Sequence, residues 1–192
     1  MRNIRLDVCY DGTRYSGWQR QTAHDNTIQG KLETALSRIL AEPIEISASG
    51  RTDTGVHARG QVVNFHTKSA MDCTELLSQL RRYLPEDIGI YCCREVSPRF
   101  HARLNALEKT YQYRLWNSDA PCVFERRFVA EFPEELDFNA MQRAAELFLG
   151  TLIEVGRGTR SADSIPELFG AKREQAGFLA PGKGLCLMEV RY

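Results

Sequence analysis

The spacing of apolar residues in the first half of the chain limits its fold more than any other feature of the sequence. From Ile4 to Tyr10 apolar and polar residues alternate, which predicts a half-buried strand. From Ile28 to Leu40 apolar residues recur at helical spacing, which predicts a helix capped by Asn26 or Thr27. A chain in which the spacing of apolar residues changes from strand-like to helical typically folds into a sheet covered by helices.

Two more strands, a second helix and a fourth strand follow before residue 97. The second strand begins at Ile44 and Ile46, the third runs from Gln61 to His66, the second helix runs from Cys73 to Tyr83 before Pro85, and the fourth strand runs from Ile88 to Cys92. The order β-α-β-β-α-β over about ninety residues is typical of a ferredoxin-like arrangement, with both helices on one face of the sheet. We therefore predict an α+β fold, with a ferredoxin-like domain over residues 1–97.

The second half of the chain contains too few predicted strands to repeat the first half. Alternation predicts strands over Lys109 to Trp116 and over Leu185 to Tyr192, and helical spacing begins near Asp137 and again after Ser161. Two middle strands are missing from this pattern, which breaks at Gly150 unless one long helix runs through that glycine. We predict a shortened second domain over residues 98–192, related to the first and extending its sheet.

Charge and cysteine content exclude few functions. The 25 basic and 25 acidic residues cancel, so the total charge neither requires nor excludes a nucleic-acid partner. The six cysteines lack the spacing of a zinc site and are expected to be reduced thiols. No segment approaches the ~20 apolar residues that cross a bilayer, and the N-terminus lacks the apolar block of a signal peptide. We expect a soluble, cytoplasmic protein with no membrane segment and no metal.

A loop of small, turn-forming residues places Arg51 and Asp53 two positions apart between two predicted strands. Such a loop is anchored at both ends and presents its charged pair at a fixed place on the sheet. Three roles for Asp53 stay open at this point. It could cap a turn and pair with Arg51, act as a base or nucleophile whose pKa the arginine lowers, or bind a metal ion. The metal is disfavoured because a lone aspartate makes a weak site.

Aromatic and basic residues elsewhere suggest contacts with RNA. Tyr111 and Tyr113 share one side of a predicted strand, either as core aromatics or, for Tyr111, as a surface on which a flipped base stacks. His57 is either a general base, a hydrogen-bonding side chain or an RNA contact. Several cations lie in or beside loops with aromatics, which suits phosphates and exposed bases as well as it suits scattered surface charge. These cations are Arg14, Arg20, Arg59, Arg99, Arg103 and Lys109.

Several separated segments resemble the motifs of one family, in that family's order. The segment Gly50–Ala58 is similar to the active-site motif of the TruA-type tRNA pseudouridine synthases. The other similar segments are Tyr10–Gln19, Thr27–Glu33, Phe100–Arg103, Lys109–Arg114, Gly150–Gly158 and Gly184–Tyr192. Because so many motifs occur in the same order, the resemblance is specific and extends along most of the chain.

The resemblance implies a reaction and a role for each matched residue. Asp53 would attack the target uridine at the ribose or the base, Arg51 would position Asp53 and hold the flipped nucleotide, and Tyr111 would stack on the base and take the C5 proton. The substrate would be the anticodon stem-loop of tRNA, at positions thirty-eight to forty, bound by a homodimer that needs no cofactor and no metal. The residues expected to bind the substrate are Arg14, Trp18, Gln19, His57, Arg59, Arg99, His101, Arg103 and Lys109.

The chain departs from the family between Gly150 and Thr151, where typical members carry several tens more residues. That stretch supplies a His-Asp-Phe motif, two or more strands and the start of a helix whose arginine joins the active site, and no residue here matches that arginine. A sheet without two central strands exposes edges and apolar surface, so we expect a protein that is less stable than its relatives or whose second half pairs differently, with weak or absent activity. Two alternatives stay open: an RNA-binding remnant without turnover, and a ferredoxin-like protein–protein module.

Overall fold

The computed structural model describes residues 1–21, 26–144 and 180–192. Their packing divides them into two compact units, one formed by Met1–Tyr113 with Leu185–Tyr192 and the other within Arg114–Gly184. The division into a domain over 1–97 and a second domain over 98–192 stays a prediction. Within the described residues, no helix is both long enough and apolar enough to span a membrane.

The first unit is a mixed sheet with two helices. The elements of the described residues are β1 (Arg2–Tyr10), α1 (Ile28–Leu40), β2 (Ser47–Ala48), β3 (His57–Thr67), α2 (Cys73–Tyr83), β4 (Ile88–Val96), β5 (Glu108–Tyr113), β6 (Leu115–Trp116), β7 (Ala130–Glu131), α3 (Phe138–Ala144) and β8 (Leu185–Arg191). The sheet has the order β4-β1-β3-β8-β5, and β2 also pairs with β3. The strand β1 is antiparallel to β3 and β4, whereas β3 and β8 are parallel.

This architecture confirms the predicted α+β class. The elements of the first ninety-six residues follow one another as β-α-β-β-α-β, in the predicted order, and β8 and β5 from the second half of the chain extend the sheet beyond β3. The more specific prediction of a ferredoxin-like arrangement, with both helices on one face of the sheet, stays a prediction.

Local signals set the ends of both helices. Thr27 caps α1, because its hydroxyl accepts a hydrogen bond from the N–H of Gly30 at 3.2 Å. Asp72 caps α2 in the same way, and Leu84 ends it in an extended conformation before Pro85. The apolar faces of the helices pack on the sheet, where Leu32 and Leu36 of α1 lie fully buried in one core with side chains of β1.

Four strands differ from their predicted bounds. Two are only longer than predicted, because β1 already begins at Arg2 and β4 continues to Val96. The second strand was expected from Ile44, but β2 contains only Ser47 and Ala48, because the N–H groups of Ile44 and Ile46 donate to the side chains of Ser37 and Glu33 in α1. The third strand begins four residues earlier than predicted, at His57, because its first residues pair with β8 from the far end of the chain. Neither effect is visible in local periodicity.

The predicted strand from Lys109 to Trp116 is two strands. The first, β5, ends at Tyr113, and β6 pairs with β7 inside the second unit. The helix expected near Asp137 is α3, and Asp137 accepts a hydrogen bond from the N–H of Ala140 at 2.9 Å. The predicted helix after Ser161 and the break at Gly150 lie outside the described residues.

Candidate active site

The loop that carries Arg51 and Asp53 is held at its start by a buried glutamine. The side chain of Gln61, in β3, is fully buried. Its Oε1 accepts from the Ser49 hydroxyl at 2.5 Å, and its Nε2 donates to the Gly50 carbonyl at 2.9 Å. The Ser49 N–H also donates to the carbonyl of Val62 at 2.8 Å. One strand therefore fixes both the backbone and the side chain at the point where the loop leaves the sheet.

The middle of the loop is held by the segment that follows β1. The Trp18 N–H donates to the Thr52 carbonyl at 2.9 Å, and the hydroxyls of Tyr10 and Thr52 lie 2.8 Å apart. Gly17 lies close to the backbone of Thr52 and has a φ of +88°, and a Cβ at this position would lie 2.8 Å from the Thr52 carbonyl oxygen. These contacts bury Thr52 and leave the side chains on either side of it, Arg51 and Asp53, exposed.

A cleft of ≈ 420 Å³ opens beside this loop. Its walls come from the loop after β1, from α1, from the segment around β2, from the loop before β5 and from β5 itself. The lining residues are Trp18, Gln19, Gln29, Ile46, Ser47, Ala48, Gly50, Arg51, His101, Arg103, Lys109 and Tyr111. Three of these side chains are cations, and no carboxylate is found among the lining residues that the structure describes. The volume falls within the range typical of small-ligand sites, and the charge favours an anion.

Lys109 and Tyr111 stand at the rim of the cleft, opposite the loop. A Cβ on Gly50 would lie 3.4 Å from the Lys109 Nζ and 3.8 Å from the Tyr111 hydroxyl oxygen. Tyr111 is 44 % exposed, and partial burial raises the pKa of its phenol. The hydroxyl is therefore protonated at neutral pH and can donate a hydrogen bond.

The basic loop before β5 is anchored by two buried asparagines. Asn3 Nδ2 donates to the carbonyl of Phe100 at 2.8 Å, and Asn64 Oδ1 accepts from the N–H of Ala102 at 2.8 Å. His101 then lines the cleft while its Nδ1 accepts from the N–H groups of Arg103 and Leu104, at 3.1 and 3.3 Å. A neutral His101 ring therefore carries its proton on Nε2, which makes that atom a donor.

The structure brings seven of the twelve predicted site residues to this cleft: Trp18, Gln19, Arg51, His101, Arg103, Lys109 and Tyr111. Asp53 lies on the same loop two residues after Arg51, exposed, but is not among the lining side chains. No ion pair joins Arg51 to Asp53 in the part of the chain that the structure describes. The roles predicted for all these residues remain predictions.

The remaining candidates lie elsewhere or are enclosed. Arg14 pairs with Asp87 through a 2.9 Å bond from its Nε, and Arg59 and Arg99 are exposed outside the cleft. His57 is buried and accepts from the N–H of Gly12 at 3.0 Å. Trp18, although it lines the cleft, is only 2 % exposed and packs on Tyr10 with ring centroids 5.9 Å apart.

Sequence reasoning missed the residues that hold the loop. The sequence places Gln61 only at the start of a predicted strand and Tyr10 only at the end of another, and it assigns no role to Thr52. One signal was available for Gln61, because it is an uncharged polar residue followed by the apolar pair Val62 and Val63 in a buried strand. Across the described residues, no group of three potential metal-ligating side chains occurs.

Comparison with known sequences identifies the family. Residues 8–105, just over half of the chain, match the family described as tRNA pseudouridine synthase. The chain belongs to the TruA family of tRNA pseudouridine synthases. The matched range includes the loop of Arg51 and Asp53, the asparagine anchor Asn64, and the loop residues His101 and Arg103.

Curated relatives in this TruA family extend the match to the whole chain. The tRNA pseudouridine synthase A of Bacillus sp. (strain KSM-64) is 45 % identical over 150 residues, which are 78 % of this chain and 62 % of that relative. The tRNA pseudouridine synthase A 2 of Bacillus cereus (strain ZK / E33L) is 33 % identical and the tRNA pseudouridine synthase A of Acetivibrio thermocellus 35 % identical. Both of these alignments cover all of each chain.

These full-length alignments also show what this TruA family member lacks. Both run over 245 positions and include all 192 residues of this chain, so at least 53 positions of each relative have no residue here opposite them. The size agrees with the several tens of residues expected to be missing. The predicted place of the gap, between Gly150 and Thr151, lies outside the described residues.

Proposed function

We propose that this protein converts uridine to pseudouridine in tRNA. The observation that carries the proposal is the cleft, in which Arg51 from the loop and Tyr111 from β5 face a basic volume of ≈ 420 Å³ next to the exposed Asp53. A nucleotide needs a pocket with cations for its phosphate and a ring surface for its base, and this cleft supplies both. Membership in the TruA family, whose relatives described above are tRNA pseudouridine synthases, supports the same reaction.

Asp53 is the proposed nucleophile. Its carboxylate would form a bond to the ribose carbon or to the base, and the bond from ribose to the base nitrogen would break. The base would then turn and bond to the ribose through C5, and the bond to Asp53 would break, which frees the carboxylate. The proton on C5 leaves and the nitrogen gains one, so substrate and product have the same composition. Because nothing is oxidised or reduced, the reaction needs no redox cofactor.

Arg51 and Tyr111 have supporting roles in this scheme. Arg51 would hold the flipped nucleotide and direct Asp53 toward it. Tyr111 would stack on the base with its half-exposed ring and relay the C5 proton. Since burial raises the pKa of Tyr111, its hydroxyl enters the reaction protonated and must pass its own proton on as it accepts another.

The finer features of the proposal come from the family resemblance. The substrate is the anticodon stem-loop, the enzyme is a homodimer, and the cell compartment is the cytoplasm. The cysteine thiols support the last point, because none of the six forms a disulfide.

A second function, RNA binding without turnover, is favoured by one observation. At least 53 positions present in the full-length relatives are missing here. If the missing stretch supplies a residue that the reaction needs, the basic cleft would still bind tRNA and the chemistry would stop.

Release of tritium from tRNA labelled at C5 of uridine tests the proposal. The parent protein is expected to release tritium, whereas Asp53→Asn, which keeps the shape but removes the charge, should fall to background and still bind tRNA. Asp119→Asn, at an exposed aspartate of the second unit, is the matched control and should behave as the parent does.

Two results would count against this assignment in different ways. Parental release by Asp53→Asn would remove Asp53 from the chemistry. Salt-dependent tRNA binding by a parent protein that releases no tritium would establish the second function instead.

A further inference from the structure

A second groove lies in the first unit, beside the cleft. Its volume is ≈ 460 Å³, and it runs between the first half of α1 and the segment that ends α2. The described lining residues are Arg20, Gly30, Lys31, Thr34, Tyr83, Leu84 and Pro85. None of them has a part in the proposed reaction.

A single hydrogen-bonded wall separates this groove from the cleft. Gln19 and Gln29 line the cleft, and the residues that follow them in the chain, Arg20 and Gly30, line the groove. The Arg20 N–H donates to Gln29 Oε1 at 3.1 Å, which ties the two segments together at the boundary. The two cavities are therefore neighbours on one continuous surface.

Both cations of the groove are available to a ligand. The Arg20 side chain is 68 % exposed and is oriented by Glu33, whose carboxylate lies 3.6 Å away, buried, and also accepts from Gln29 Nε2 at 2.8 Å. Lys31 makes no ion pair within residues 1–21, 26–144 and 180–192. No acidic side chain is found among the described residues that line the groove.

An exposed ring forms the opposite wall. Tyr83 is 41 % exposed, and Arg38 stacks on it at 5.1 Å and donates to its hydroxyl at 2.9 Å. A cation-rich groove with one aromatic wall suits ribose and phosphate better than it suits an apolar ligand.

The total charge of the protein makes this local charge informative. The chain has no net charge, yet the cleft and the groove together present five cations and no carboxylate among their described lining residues. Scattered surface charge in a neutral protein would mix both signs. A continuous basic surface of this kind fits a polyanion that passes from one cavity to the other.

We propose that the groove binds the sugar–phosphate backbone of the same RNA whose target nucleotide enters the cleft. The proposal rests on the proposed function for its choice of RNA. Lys31 and Arg20 would each contact a phosphate of the bound RNA. Both contacts would be equally strong before the reaction and in its transition state. The groove residues should therefore affect binding and leave the chemical step unchanged.

The test is tRNA affinity over a range of salt, between about 50 and 200 mM. Lys31→Gln and Arg20→Gln should each weaken binding and reduce the slope of log affinity against log salt by about one. Turnover at saturating tRNA should stay at the parental value. Lys68→Gln removes an exposed lysine that lines neither cavity and is the matched control. Lys31→Gln is the cleaner variant, because Arg20 also contacts the buried Glu33.

Each outcome separates the groove from the reaction. If the parent binds tRNA without turnover and the slopes fall, the proposed function fails and the groove assignment stands. If the parent turns over and the groove variants keep the control's slope, the groove assignment is wrong and the reaction stands. If the groove variants keep the parental slope for tRNA but lose binding of polyglutamate, the groove would be assigned to an acidic protein. A parent protein that binds no tRNA would also overturn the proposal.

Discussion

At the scale of single residues, a few buried polar side chains determine where the exposed ones stand. Gln61 lies inside the sheet with no exposed surface, where an unpaired amide would cost stability, and its amide is paired with Ser49 and Gly50. These two residues come directly before Arg51. A shift of the loop by about 1 Å can reduce turnover by as much as a hundredfold, so the amide has a direct bearing on the site.

Gln61→Met is expected to lower both stability and turnover. The substitution keeps the length of the side chain but leaves the Ser49 hydroxyl and the Gly50 carbonyl without their partner, at a cost of about 1–3 kcal/mol in the free energy of unfolding. Urea denaturation and tritium release per folded molecule would measure the two effects. Gln79→Met is the control, at a partly exposed position of α2 where the amide donates only to the exposed Glu75 at 3.0 Å, and it should change stability by less than about 0.5 kcal/mol. Parental turnover in folded Gln61→Met would show that the amide does not position the loop.

Tyr10 gives a residue-scale prediction about pH. Burial raises the pKa of its phenol to about 12, with the Thr52 hydroxyl as its partner. Since the phenol of the unfolded chain loses its proton near pH 10, the folded state holds more protons between about pH 10 and 12, and stability falls as the pH rises through that range. The contribution of Tyr10 is present in full below about pH 10, and about 3 kcal/mol of it is lost by about pH 12.

Tyr10→Phe should therefore flatten the alkaline fall in stability. It is expected to cost about 1 kcal/mol at neutral pH, through the lost bond to Thr52, and to show a smaller decrease above about pH 10 than the parent. Urea denaturation at a series of pH values measures both. Equal slopes for the two proteins in the alkaline range would mean that Tyr10 titrates normally.

At the scale of secondary-structure elements, the packing of β8 beside β3 builds the site. The two strands are parallel, with His57 opposite Cys186 and Ala58 opposite Leu187, and β5 pairs with the far side of β8. The register of β5 shifts between Thr110 and Tyr111, so that Met188 is bypassed. This pairing brings Lys109 and Tyr111 of β5 close to Gly50, in a loop that begins about sixty residues earlier in the chain, at Ser49.

Two glycine substitutions distinguish the effect of strand packing on stability from the effect of cleft width on turnover. Gly60→Ala would place a Cβ 2.3 Å from the carbonyl oxygen of Met188, so β3 and β8 must move apart, and stability should fall by about 1–3 kcal/mol together with turnover. Gly50→Ala meets only side-chain atoms of Lys109 and Tyr111, at 3.4 Å or more, and should fold as the parent does while narrowing the cleft and lowering turnover. Urea denaturation and tritium release distinguish the two. Parental stability of Gly60→Ala would contradict the close packing.

At the scale of the whole molecule, the net charge is zero but the charged residues are unevenly distributed. The cleft and the groove concentrate cations on one surface of the first unit, and this is the property through which a neutral protein can bind RNA. The full-length relatives contain at least 53 positions that this chain lacks, whereas the loop of Arg51 and Asp53 lies in the first unit and within the residues that match the family.

Local signals in the sequence were sufficient for several helices and strands of the first unit and for the charged residues of the loop. Periodicity identified β1, α1, α2 and β4, and the caps Thr27 and Asp72 and the stop at Pro85 follow from short-range hydrogen bonding and sterics. Arg51 and Asp53 could be singled out because they stand two positions apart in a loop of turn-forming residues between two predicted strands, in a segment that resembles the family's active-site motif.

Only the tertiary structure decided which residues meet. Alternation shows which side chains share a face of a strand, but it does not show which strand lies next to it, because pairing depends on contacts between distant parts of the chain. The sequence therefore could not show that Ile44 and Ile46 bond to α1 instead of a strand, that β3 begins at His57, or that Trp18 and His57 are buried. It identified Arg51 and Tyr111 separately, and the parallel pairing of β3 with β8 placed them around one cleft.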